Sequence, residues 1–182
     1  KDTRGDDQID QRSHFEAGDL ARQELDTTAD GQVDSVLHFA GDKQVKQKRD
    51  TTGDGIFNQI THYDAQEIPA REEFDTNADE AIDQVKLYEA GVLLREEADQ
   101  DYDGRFELTT FYAEGLVTHS EIDKTGNGST DLTVEYRDGR KHQQTEDRDG
   151  DGRGEVMTLF ADDGEIGRAA WRGRGGNSVA AR

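Results

Sequence analysis

Seven aspartates, Asp2, Asp26, Asp50, Asp75, Asp99, Asp123 and Asp147, each open a short run rich in carboxylates. The fullest copies are Asp99, Asp101, Asp103, Gly104, Glu107 and Asp147, Asp149, Asp151, Gly152, Glu155, with acids at positions 1, 3, 5 and 9 and glycine at 6. Oxygens on alternate residues converge on one point if the chain turns sharply at the glycine. The backbone carbonyl of position 7, here Arg105 and Arg153, can join them. Such an all-oxygen donor set suits a hard cation. Calcium fits it better than magnesium, which keeps its waters and rarely takes a cage made by protein alone.

Ligand count ranks the remaining copies below these two. Asp26, Thr28, Asp30, Asp34, then Asp50, Thr52, Asp54, Asn58, then Asp123, Thr125, Asn127, Asp131 place a hydroxyl at position 3, with Gln32, Ile56 and Ser129 offering the carbonyl at 7. Asp75, Asn77, Asp79 and Asp83, with Ala81 at 7, keep good ligands, but Glu80 replaces the glycine and should strain the turn. In the first copy Asp2, Asp6 and Asp10 face Arg4, whose guanidinium is expected to stand where a cation would. Loops that end at a position 9 acid should bind calcium at about 10⁻⁴–10⁻³ M, the range of extracellular modules. They would fill outside the cell, which predicts a secreted, periplasmic or cell-surface location.

The opening aspartates are spaced by 24, 24, 25, 24, 24 and 24 residues, and an aromatic stands thirteen residues after each: Phe15, Phe39, Tyr63, Tyr88, Tyr112, Tyr136, Phe160. With aromatics at only 7% of the chain, that offset marks a true internal repeat. Runs of β-formers such as Phe106 to Tyr112 follow each loop. Turn residues such as Ala113-Glu114-Gly115 come next, and a half-apolar return segment such as Leu116 to Ile122 closes the unit. Helical loops beginning DxDxDG need an acid at position 12, which here holds Ser13, Leu37, Thr61, Lys86, Thr110, Val134 and Thr158. The predicted fold is therefore all-β: tandem 24-residue β-hairpins forming one long antiparallel meander, twisted or spiralling, with calcium loops between the hairpins. Positions 8 and 14 share parity and are expected on one face of a strand. Residues 1–170 read as a single repeat array, and 171–182 as a basic, glycine-rich tail with Trp171 covering the last hairpin.

The chain has 42 Asp plus Glu against 22 Lys plus Arg, a net charge of −20, and 31% hydrophobic residues. So little apolar surface leans towards disorder unless bound cations offset the repulsion. The negative charge argues against nucleic acid as a partner. No apolar run approaches the roughly 18 residues that insertion in a membrane requires. The lack of cysteine excludes thiolate chemistry and disulfides. His14, His38 and His62 all fall at position 13, but equivalent strands in a meander lie roughly 9.5 Å apart, too far for a shared metal. Arg4-Gly5-Asp6 lies inside the degenerate first loop, and Asn127-Gly128-Ser129 is better used as ligand and turn than as a glycosylation site.

The loop D-x-[DNT]-x-[DN]-G-x-x-[DNE] resembles the calcium loops of integrin-type FG-GAP repeats, whose last carboxylate also falls at position 9. The whole module resembles tandem DxDGxxDxxxxYxxGxL repeats of bacterial exported proteins, and its second half is similar to YD and MORN-type hairpins. The resemblance implies calcium as the ligand of the residues named above. FG-GAP blades are much longer, so no propeller is implied. The functional expectation is a non-enzymatic, calcium-binding structural or adhesion domain. Its alternatives are a module that presents a sheet face to a glycan or protein, or an accessory region of a secreted enzyme or toxin.

Overall fold

The structure, a computed structural model, describes residues 1–5 and 7–161 in full and the backbone of 164–170. Expectations placed on Asp6, on the turn at Asp162 and Asp163, and on the tail with Trp171 lie outside the described residues. Every regular element is a strand: β1 (Gln11–Glu16), β2 (Asp19–Leu25), β3 (Ser35–Ala40), β4 (Lys43–Arg49), β5 (Gln59–Tyr63), β6 (Pro69–Phe74), β7 (Gln84–Glu89), β8 (Val92–Ala98), β9 (Leu108–Ala113), β10 (Leu116–Ile122), β11 (Leu132–Arg137), β12 (Arg140–Glu146), β13 (Val156–Ala161) and β14 (Gly164–Ala170). The chain divides into two compact units, Lys1–Val92 and Leu93–Arg182. In the first, β1 to β7 pair antiparallel in chain order. In the second, β8 to β14 do the same. The all-β hairpin meander read from the sequence is what each unit forms.

Two kinds of connection alternate. Residues 26–34, 50–58, 75–83, 99–107, 123–131 and 147–155 are the acidic loops, nine residues each, and they fill the whole interval between one hairpin and the next. Tight turns close the hairpins. Ala17-Gly18, Ala90-Gly91, Glu114-Gly115 and Asp138-Gly139 have both residues at positive φ, between 49° and 102°. That is the pairing whose twist matches the strands it joins. The one 25-residue repeat takes its extra residue in the Asp64–Ile68 turn, where Glu67 N–H donates to the Asp64 carbonyl at 3.0 Å and Asp64 N–H to that of Ile68 at 2.9 Å.

The expected parity of positions 8 and 14 is corrected by the structure. Strands begin at position 10, so Phe106 and its equivalents belong to the loops rather than to strands. Opposite positions 13 and 14 the return strand carries a bulge, at Ala21, Val45, Ala70, Thr118 and His142, which resets the alternation of the return strand. Among the described residues the buried apolar side chains are Val36, Val85, Leu132, Val134 and Val156, all at positions 10 to 12, while Phe15 is 65% exposed. Gly154, where other repeats carry a side chain at position 8, stands so close to Thr145 that a Cβ would lie 2.0 Å from its methyl.

The aromatic row does a different job from core filling. The hydroxyls of Tyr63, Tyr88 and Tyr112 donate to Gln47 at 2.9 Å, Glu72 at 2.6 Å and Glu96 at 3.0 Å, each sixteen residues back on the return strand of the preceding hairpin. These bonds tie one repeat to the next within each unit. Each is worth about 1 kcal/mol, more where the acceptor is charged.

Two outcomes follow from this packing. Val85→Ala, at a site only 1% exposed, should destabilise the first unit by about 1–3 kcal/mol; Val92→Ala, half exposed, should change a denaturant midpoint little. Burial, followed by the bond to Glu96 and the charges of Glu96 and Tyr136, pushes Tyr112 up to about 12. Its folded value lies above the unfolded one of about 10, so its contribution is intact below about pH 10 and fades as pH rises towards 12. Tyr112→Phe should remove the highest step of the tyrosine absorbance titration and flatten the stability loss across that window.

Candidate metal centre

Every loop is built on its first aspartate. The N–H of position 4 donates to one oxygen and the N–H of position 6 to the other. The first set of distances is 2.6 to 2.9 Å, to Asp2, Asp26, Asp50, Asp75, Asp99, Asp123 and Asp147 in turn. The second is 2.6 to 3.0 Å to the same seven carboxylates. Both donors must point inwards, and the chain achieves this by taking positive φ at 4 and 6. Ala29, Ala78 and Tyr102 at position 4 lie at 68°, 63° and 62°, and Glu80 at position 6 at 70°. A non-glycine residue held there is strained by roughly 1–2 kcal/mol. The carboxylate's two charge-assisted bonds offset that cost. Position 6 was legible from its glycines; position 4 was missed, although Gly5, Gly53, Gly126 and Gly150 signal it.

The remaining carboxylates close the loop. Position 9 accepts from the N–H of position 2: Thr27 to Asp34 at 2.7 Å, Thr51 to Asn58 at 2.9 Å, Thr76 to Asp83 at 2.7 Å, Gln100 to Glu107 at 3.0 Å and Arg148 to Glu155 at 2.6 Å. In the sixth loop Thr125 at position 3 donates to Asp131 instead, at 3.0 Å. Position 5 accepts from the N–H of position 7: Gln32 to Asp30, Ile56 to Asp54, Ala81 to Asp79, Arg105 to Asp103, Ser129 to Asn127 and Arg153 to Asp151, all between 2.7 and 3.0 Å. These donors outweigh desolvation. Burial raises Asp34, Asp50 and Asp123, yet the bonds from Thr27, Gly55 and Gly128 and their neighbours leave all three below the ordinary aspartate range.

Position 3 is the odd one out. Thr52 and Thr125 turn their hydroxyls to the opening aspartate, Asp50 at 3.1 Å and Asp123 at 3.3 Å, and Asn77 bonds to Asp79 at 3.0 Å. Asp101 has no hydrogen bond or ion pair among the described residues. Asp149 accepts one, from Asp151 N–H at 3.3 Å. In these two loops Asp99, Asp101, Asp103 and Glu107, and Asp147, Asp149, Asp151 and Glu155, each bring a carboxylate oxygen within 4.8 Å of the other three. Among the described residues they are the groups of three or more acidic or histidine side chains that converge so closely. The acids of 26–34, 50–58, 75–83 and 123–131 share the backbone bonds but not that convergence.

No family model and no curated protein matches the chain. A solved structure of accessory secretory protein 1, 2 and 3 in Streptococcus pneumoniae is similar over 63% of this chain and 19% of that one, at 10% identity and a TM-score of 0.41. The chain therefore spans less than a fifth of that protein, and a likeness of this degree carries no argument about function. What the loops can do has to be argued from their own atoms. Two oxygen-rich clusters, each with its opening acid buried and its position 3 acid exposed to solvent, can hold a metal ion.

The first loop holds a cation of its own. The Arg4 guanidinium bonds to Asp10 at 3.2 Å and to the carbonyls of Asp26 and Thr27 at 3.1 and 3.3 Å. It bridges the first loop to the second. Thr3 donates to the same Asp10 through its hydroxyl at 2.6 Å and its N–H at 2.7 Å. These bonds, with the charge of Arg4, lower the Asp10 pKa. The three histidines stand on alternate strands, with Arg22 and Lys46 paired between them. Cations in between make a shared metal there untenable.

Arg4→Gln should leave the second unit untouched and loosen the first hairpin. Amide exchange over Gln11–Leu25 is expected to quicken several-fold in calcium and in chelator alike. Unchanged exchange would show that the guanidinium holds nothing in place.

Proposed function

We propose that this chain is a calcium-binding, non-enzymatic repeat scaffold of an exported protein, with 99–107 and 147–155 as its principal sites. The observation that supports the reading most is position 3. Positions 1, 5 and 9 have a sufficient reason to be acidic in their backbone bonds, whereas Asp101 has no such bond among the described residues and Asp149 a single long one, from Asp151 at 3.3 Å. An unpaired carboxylate placed among three others raises electrostatic energy unless a cation sits between them. The donors are all oxygen, and each oxygen that accepts an N–H still has a lone pair for a metal. Asp99, Asp101, Asp103, Glu107 and the carbonyl of Arg105 would hold the ion in one loop. Asp147, Asp149, Asp151, Glu155 and the carbonyl of Arg153 would hold it in the other. Nine-residue loops ending in a single acid suit weak sites that fill at extracellular calcium, which supports a role outside the cytoplasm. A repeated unit tied by main-chain bonds and tyrosine rungs suits a spacer or adhesive surface.

Both principal loops lie in the second unit, so that unit should respond most. With a Kd near 1 mM and calcium in tenfold excess, each site adds about 1.4 kcal/mol. Two sites should raise its melting temperature on the order of 10 °C relative to chelator. Asp101→Asn should shrink the calcium shift while leaving the melt in chelator unchanged. Asp99→Asn should lower the melt in chelator as well, because it weakens the acceptor for Tyr102 and Gly104. Superimposable melts with calcium and with chelator would reject the proposal. Equal behaviour of the two variants would reject the division of roles.

A further inference from the structure

The acids of this chain are unevenly placed. Strands β3, β4 and β5, SVLHFA, KQVKQKR and QITHY, contain no Asp or Glu, and carry Lys43, Lys46, Lys48, Arg49, His38 and His62. Register gathers much of this charge on one face. Lys46 pairs with His38 on one side and His62 on the other, and Lys48 with Val36 and Ile60. Lys46 and Lys48 are two residues apart on one strand, so they share a face. The row continues through His38 to Arg22 and His14, and through His62 to Arg71. Six successive strands of the first unit thus present His14, Arg22, His38, Lys46, His62 and Arg71 in line, one basic side chain per ~4.8 Å.

The ends of this row are paired and its middle is not. Arg22 and His14 reach Glu24, the latter at 3.6 Å, and Arg71 and His62 reach Glu73 at 2.7 and 3.5 Å. Lys46 and Lys48 have no carboxylate partner among the described residues. Burial and then the charges of Arg22, Lys46 and Lys48 hold the His38 pKa below its usual value. Arg22 and Lys46 flank His38 from the two adjoining strands, and no acid stands between them in the row. With 42 acids available elsewhere, such a row is costly to the isolated sheet. A bound anion would relieve it.

The shape of the row selects among anions. A single phosphate or carboxylate would use two or three of these side chains, whereas a linear polyanion running across the strands would use all of them. Single-stranded nucleic acid needs aromatic platforms for its bases, and neither this row nor the Val36, Lys48, Ile60 row beside it holds a Phe, Tyr or Trp. A polyuronate offers one carboxylate per sugar, a spacing of the order of that between strands, and has no base to stack. We propose that this face of β1 to β6, centred on Lys46 and Lys48, binds a linear acidic polysaccharide with one carboxylate per sugar. The site uses none of the loop carboxylates and stands apart from the calcium reading.

The test is titration calorimetry of the full chain with a galacturonate hexamer, in calcium-containing buffer of low ionic strength. Binding is expected, weakening steeply as salt is added, and no binding is expected with an uncharged maltohexaose. Lys46→Glu/Lys48→Glu should cost at least tenfold in affinity, while Arg140→Glu/Lys141→Glu, the same charge change in the second unit, should leave it unaltered. If the first pair fails to fold, Lys46→Gln/Lys48→Gln should still weaken binding several-fold. Failure of the hexamer to bind, equal affinity for galacturonate monomer or for oligo-dT, or equal loss from both charge-swapped pairs would each overturn the proposal.

Discussion

The structure depends on one carboxylate that accepts two backbone N–H groups across a turn. In each loop the opening aspartate holds positions 4 and 6 in left-handed conformations, and in five loops its own N–H donates to the position 9 carbonyl of the loop before, from Asp26 to Asp10 through Asp147 to Asp131, at 2.8 to 3.0 Å. With five buried apolar side chains among the described residues, the two units have little hydrophobic stabilisation to spare. Their order comes instead from main-chain ladders, tyrosine rungs and loops whose geometry is fixed by ionic hydrogen bonds. That is why a chain with 31% hydrophobic residues folds where composition alone points to disorder.

Variation among the seven repeats separates two demands on the same acidic loop. Position 1 is aspartate every time, including the first loop, where Arg4 replaces the position 3 ligand. The backbone needs it whether or not a cation is bound. Position 3 runs Arg, Thr, Thr, Asn, Asp, Thr, Asp. Its side chain accepts at most one backbone N–H, from Asp79 at Asn77 and from Asp151 at Asp149, so it is freer to change. Where it is Arg4 the guanidinium neutralises Asp10 directly and reaches the next loop's carbonyls. Where it is threonine the hydroxyl at most shares the opening aspartate. Where it is Asp101 or Asp149 the negative charge is left for something outside the chain.

Much of this was legible in the sequence because it is periodic. The seven opening aspartates placed each loop, and turn residues such as Glu114-Gly115 placed the hairpins; β10 runs from Leu116 to Ile122, as its composition suggests. Three features were not legible. The bulge on the return strand has no residue signature, since Ala21, Val45, Thr118 and His142 all stand at it, and it undoes any parity count made along that strand. The left-handed position 4 is hidden wherever Ala29, Ala78 or Tyr102 fills it, because the hydrogen bond to the aspartate, rather than the residue's own preference, sets its φ. The buried positions 10 to 12 were not singled out, because Ser35, Gln59 and Gln84 also stand at position 10 and hide the pattern. Tyrosine hydroxyls have partners on the preceding hairpin, and burial is left to valine and leucine.

Charge placement then distinguishes the two units. The second holds both four-carboxylate loops, and its strands that carry Arg or Lys with described side chains, β8, β11 and β12, each carry Glu as well. The first has no carboxylate at position 3 of its loops, and sets an acid-free strand, Lys43–Arg49, between two others that carry histidine and no acid. A neutral spacer built only to fold would gain by spreading Lys46 and Lys48 among its many acids, because cross-strand pairs of opposite sign stabilise a sheet and pairs of like sign do not. Leaving acidic loops at one edge and a basic row across a face forgoes that gain in both places. The two accumulations of charge are best understood as surfaces that meet different ions, a small cation held by the turns and an extended anion laid across the strands.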